Sequence, residues 1–164
     1  MLSNRIIRMS NNREATIEAI GRAVQAYQDA TDAFDATACE MLGINRTDLK
    51  CLSIIAQNNR IAVGQIGKAA GLTRGAMTTA LDRIERAGYA HRVRHPEDRR
   101  GVLVELTDKA KRAIDAIWGE YARRGESFFA DYSDADLGAV LRYLEEGEAA
   151  QHANRQRVRK LKIR

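Results

Sequence analysis

Between Val63 and Tyr89 the chain reads VGQIGKAAGLTRGAMTTALDRIERAGY, and directly afterwards the spacing of its apolar residues changes. Few folds satisfy that order. Val63, Ile66 and Ala70 recur at helical spacing and predict one short helix. Gly-Leu-Thr then breaks it: Gly71 permits a positive φ, and Thr73 is a good N-cap. A longer helix is predicted from Arg74 to about Ala87, with Met77, Leu81 and Ile84 as its buried stripe and Gly88 ending it. Two helices joined by three residues, glycine first, form a helix-turn-helix. After Gly88 the period becomes two. YAHRVRH sets Tyr89, His91, Val93 and His95 on one face and Ala90, Arg92 and Arg94 on the other. VLVELT does the same with Val102, Val104 and Leu106. PEDRRG between them, with Pro96 as the only proline, reads as a turn. Strand, polar turn and strand make a β-hairpin, and a hairpin after a helix-turn-helix is a wing.

The flanks are helical. Ile17, Ile20, Val24, Tyr27, Thr31, Phe34, Ala38 and Met41 alternate three and four apart, a heptad seam that calls for a partner helix in the same chain or another copy. A helix from Arg46 to about Gln57 carries Leu49, Leu52, Ile55 and Ala56 inward. Thr107 caps a predicted helix over 108–130, with Ile114, Ile117, Trp118, Tyr121, Phe128 and Phe129 as apolar bulk. Ser-Asp-Ala-Asp at 133–136 is a capping box opening a last helix with Leu137, Val140, Leu141 and Leu144. The expected architecture is mainly α with a small β-hairpin wing. It comprises an N-terminal helical region (1–44), a winged helix-turn-helix (45–108) and C-terminal helices with a basic tail (109–164).

Charge narrows the function. Over 164 residues the formal net charge is +5, which favours a polyanionic partner. From Arg83 to Arg100 there are six arginines, three acids and no lysine. Arginine alone suits planar, multi-donor contact with phosphates or a narrow groove, and it also suits a charged edge strand that resists aggregation. On the predicted helix from Arg74, residues Arg74, Gly75, Thr78, Thr79 and Arg83 face away from the apolar stripe, beside Thr73. Arginine can chelate guanine, threonine can bond a base edge or touch a thymine methyl, and Gly75 lets the backbone come close. These residues are the expected DNA-reading face, with Arg92, Arg94, Arg99 and Arg100 expected from the wing.

Other chemistries find little support. No phosphate loop, nucleophile elbow or metal-binding helix is present, so no enzyme and no cofactor are expected. His91 and His95 share a strand face about 13 Å apart and cannot hold one metal ion together. Cys39 lies at a helix C-terminus, the wrong end to stabilise a thiolate, and Cys51 lies in an apolar pattern; both read as structural. No apolar run approaches the roughly 20 residues that span a bilayer, and no signal peptide is legible, so a reduced, cytoplasmic protein is expected. Tyr27, Phe34, Trp118 and Tyr121 are either helix-packing core or the lining of a small-ligand pocket.

The stretch LTRGAMTTALDRIERAGYAHRVRHPEDRRGVLVELTDKA resembles the winged helix-turn-helix of the MarR family of bacterial transcriptional regulators. The Leu-Thr-Arg opening, the Leu-Asp-Arg-Ile-Glu run into Gly88 and the Pro96–Arg100 wing motif carry the likeness. It implies a homodimer joined by the first and last helices of both subunits. It also implies a pseudo-palindromic operator, with recognition helices in major grooves and Arg100 in the minor groove, oriented by Asp98. Arg74, Thr78 and Thr79 would face bases. Release by a small aromatic or phenolic ligand is implied as well. Two alternatives stay open: a constitutive or architectural DNA-binding protein without effector, and a helical protein-interaction module. Lys109, Ala110 and Lys111 stand where the family often has a glycine, and the basic tail from Arg155 is outside its general pattern.

Overall fold

The computed structural model describes residues 2–94, 96 and 101–161, with side chains described from residue 13 onward, Glu126 excepted. In chain order the elements are α1 (Leu2–Leu42), α2 (Arg46–Asn58), β1 (Arg60–Ala62), α3 (Val63–Ala70), α4 (Arg74–Arg86), β2 (Ala90–Arg94), β3 (Val102–Leu106), α5 (Asp108–Phe128) and α6 (Asp134–Arg159). They divide into two units, Met1–Ile117 and Trp118–Arg164, the boundary falling within α5.

The core of the first unit is built from one stripe of each short helix. Cys51, Leu52 and Ile55 of α2, Ile66 and Ala70 of α3, and Met77, Ala80, Leu81 and Ile84 of α4 are all buried, together with Val104 of β3. Burying each large aliphatic side chain contributes roughly 1.5–3 kcal/mol. The turn between α3 and α4 forms as expected. Gly71 takes φ +74°, the Leu72 amide donates to the Gly67 carbonyl, and Thr73 caps α4 by accepting from the Ala76 amide at 3.3 Å. Gly67 sets the approach of the two helices: a Cβ there would lie 3.4 Å from Met77 Cγ.

One expectation is corrected in this unit, the inward-facing Ala56, and another is extended: the expected hairpin of β2 and β3 forms, and β1 adds a third strand to give the antiparallel order β1-β3-β2. β1 has three residues, too few for an alternating signal, and follows Asn59 at φ +55°. Ala56 is exposed, because the buried arc of α2 runs through Asp48, Cys51, Leu52 and Ile55. At the end of α1, Ala38 of the heptad seam is buried together with its neighbours Cys39 and Leu42, while Met41 is exposed.

Side-chain bonds to backbone join the pieces. Tyr89 Oη donates to the Leu42 carbonyl at 3.0 Å, tying the end of α1 to the base of the wing. Thr107 Oγ1 donates to the Gly88 carbonyl at 2.7 Å and accepts from the Ala110 amide, so one hydroxyl both closes the wing and caps α5. Lys109 Nζ lies 4.5 Å from the centre of the Tyr89 ring. Arg46 of α2 reaches back to Asp32 and Asp35 of α1.

In the second unit, Ser133 and Asp136 form the expected capping box at the start of α6. Tyr121 and Phe128 pack with ring centroids 6.2 Å apart, and Phe129 meets Tyr132 edge-on. No residue of α6 is buried.

Candidate nucleic-acid interface

α4 has two chemically distinct faces because Met77, Ala80, Leu81 and Ile84 occupy the arc turned to the core. The opposite arc carries Thr73, Arg74, Gly75, Thr78 and Thr79, all exposed. Their chemistry is polar and cationic near the helix N-terminus, where the amide ends add partial positive charge. The Thr78 hydroxyl donates to the Arg74 carbonyl and the Thr79 hydroxyl to the Gly75 carbonyl, both at 3.1 Å. Each hydroxyl proton is thereby held by the helix, which leaves oxygen lone pairs and methyl groups facing outward. Gly75 has open space around it: a Cβ would meet no atom within 4 Å.

Two arginines expected on this interface are turned elsewhere. Arg83 binds the Asp48 carboxylate through two bonds, Nε at 3.0 Å and Nη2 at 2.7 Å. Asp48 is 1% exposed. An unpaired carboxylate there would cost several kcal/mol, so the guanidinium is drawn inward to it. Donating these hydrogen bonds to Asp48 holds the Arg83 guanidinium even more firmly protonated than usual. Asp48 itself was missed in the sequence. Its signal was Asn45, three residues earlier, whose side chain caps α2 by accepting from the Asp48 amide.

Arg92 is the second. Its Nη2 binds Asp82 at 2.8 Å, its Nη1 binds Glu85, and its backbone amide donates to Glu85 Oε1 at 2.8 Å. Arg94 is exposed at the outer end of β2. Asp98, Arg99 and Arg100 lie outside the described residues, as does His95. The His91 ring bonds Glu105 at 3.0 Å. Among the described residues there is no cluster of His, Cys, Asp or Glu able to hold a metal ion.

The remaining expected residues are spread over both units. Tyr27 and Phe34 sit on α1, both exposed. Trp118 is half-buried on α5 in the second unit, and Tyr121 is exposed there. Two clefts of the first unit, about 680 and 530 Å³, are lined by other residues: one by Ile55, Arg60, His91 and Glu105, the other by Cys39, Asp48, Arg83 and Arg86. Cys39 and Cys51 are buried, and burial pushes both thiols up from their ordinary range. No described helix is long and apolar enough to cross a membrane.

Residues 44–102 match the model of the MarR family. The multiple antibiotic resistance protein MarR of Salmonella typhimurium is 32% identical over 128 residues, covering 76% of this chain and 87% of that protein. An uncharacterized HTH-type transcriptional regulator of Bacillus subtilis, YcgE, is 29% identical over 143 residues, covering 85% and 92%. Among solved structures, NadR in complex with 4-hydroxyphenylacetate shares the fold. Its TM-score is 0.58 at 20% identity, covering 75% of this chain and 86% of that one.

Proposed function

The chain belongs to the MarR family of DNA-binding transcriptional regulators, and from that premise we propose that it acts as a homodimeric repressor whose α4 reads an operator and which a small aromatic acid releases. The observation that carries the reading is α4 itself: a helix capped by Thr73, buried along one arc, with Arg74, Thr78 and Thr79 exposed on the other. Arg74 chelates a guanine, while Thr78 and Thr79 accept from base amino groups or cover thymine methyls. Arg94 and Arg100 add phosphate or minor-groove contact from the wing. Two copies present two such helices, which suits a pseudo-palindromic site with half-sites about 34–36 Å apart.

The test replaces Arg74 and Arg100 together with alanine and measures binding to a duplex selected from a random pool by the unaltered protein. Binding is lost while the dimer persists; undiminished binding rules out this readout. The effector reading draws support from NadR, whose structure holds 4-hydroxyphenylacetate. A ligand releases DNA only by preferring a conformation whose helix spacing mismatches the operator. Titration with phenolic and aromatic carboxylic acids lowers operator affinity. Unchanged affinity across such a panel favours a constitutive DNA-binding protein instead.

A further inference from the structure

Asp82 and Glu85 stand three residues apart in the C-terminal half of α4, the helix assigned above to DNA reading, and carboxylates there are doubly unfavourable. They face the negative end of the helix dipole and they repel phosphate. Both are instead bound to one arginine of the wing. Arg92 spans them, Nη2 to Asp82 at 2.8 Å and Nη1 to Glu85, while its own amide donates to Glu85 at 2.8 Å. β2 is an edge strand of the sheet β1-β3-β2, so that amide contact also closes part of an otherwise open strand edge. The Arg92 and Glu85 side chains are only 34% and 26% exposed.

We propose that Arg92 is a positioning residue which latches the wing to the recognition helix, and that Asp82 and Glu85 are required for specific DNA binding in spite of their charge. A planar guanidinium bridging two carboxylates fixes an angle as well as a distance. With Arg83 holding the same half of α4 to Asp48 of α2, the helix is braced from two sides, and its N-terminal half is presented in one orientation relative to the wing. The cost of ordering wing against helix is met on folding, before DNA arrives.

This inference rests on α4 being the DNA-reading helix, and its test separates the two. Kd is measured against salt concentration for the unaltered protein and for Arg92→Ala, Arg92→Lys, Glu85→Gln and Arg74→Ala. Each is tested on the selected duplex and on a scrambled duplex, at a temperature where every variant is fully folded. Arg92→Ala and Arg92→Lys weaken specific binding at least tenfold, leave binding to the scrambled duplex unchanged, and keep the salt slope. Glu85→Gln weakens specific binding as well. A phosphate contact behaves otherwise: Arg92→Ala then lowers the slope by about 0.9 on both duplexes and lysine restores it, which overturns the latch. Tighter binding by Glu85→Gln overturns it too, as does unchanged specificity in the folded Arg92 variants, which marks a merely stabilising contact. Arg74→Ala reports on α4 alone: if it retains specific binding, the helix assignment fails whatever the Arg92 variants do.

Discussion

At Gly75 the protein itself demands nothing, since a Cβ there would meet no atom within 4 Å. A glycine inside a helix costs roughly 0.5–1 kcal/mol relative to alanine. Gly75→Ala therefore raises the unfolding free energy measured in urea by up to about 0.5–1 kcal/mol and, if DNA comes close to the backbone, weakens binding to the selected duplex. Equal or tighter binding excludes the close approach. Arg83 is the opposite case, since its guanidinium is bound to a buried carboxylate of the fold. Arg83→Ala strands the Asp48 carboxylate and lowers stability by about 2–3 kcal/mol, less than a fully buried pair because Arg83 is partly exposed. Adding Asp48→Asn recovers part of that loss in chemical denaturation. Cys39 and Cys51, buried and with thiols pushed up, resist alkylation at neutral pH until the protein unfolds.

Across the sheet, one row of side chains runs Arg60, Glu105, His91, one from each strand in direct register. Glu105 accepts from Arg60 and contacts His91, and the Arg60 bond holds its carboxyl below the ordinary value of 4.5. Asp136 is lowered likewise by the Ser133 hydroxyl and amide at the start of α6. A carboxylate with a depressed folded pKa contributes stability above its unfolded pKa and loses that contribution as pH falls through the folded value. Melting temperature therefore declines below about pH 4.5, and Glu105→Gln shows a shallower decline on the acid side. An unchanged acid limb in that variant would mean the row is energetically idle. The elements themselves were legible: Thr73, Gly71 and Gly88 mark boundaries by local backbone preference, and these appear where expected. β1 was not, because three residues carry no period and its strand character comes from β3 alongside.

At the scale of the whole molecule, many of the exposed large apolar side chains among the described residues lie on the terminal helices. Ile17, Ile20, Tyr27 and Phe34 of α1, and Leu141 and Leu144 of α6, are between 41% and 65% exposed. Stripes of this kind mark interaction surfaces, and the proposed homodimer would cover them. Ile20→Glu with Leu144→Glu yields a monomer in sedimentation velocity and loses tight operator binding, since one half-site remains. A stable dimer of that variant places the interface elsewhere.

By itself the sequence determined which segments are helices, where they stop, and that a wing follows a helix-turn-helix, because periodicity, caps and turn residues act over a few neighbouring residues. It also marked α4 by leaving one of its faces without apolar side chains. What it left open was the allegiance of each charged group. Arg83 and Arg92 looked equivalent to Arg74 in a basic run, yet the fold sets Asp48 against the first, 35 residues away in the chain, and Asp82 with Glu85 against the second. A guanidinium pairs with whichever carboxylate lies nearest and least hydrated, and only the tertiary structure decides which one that is.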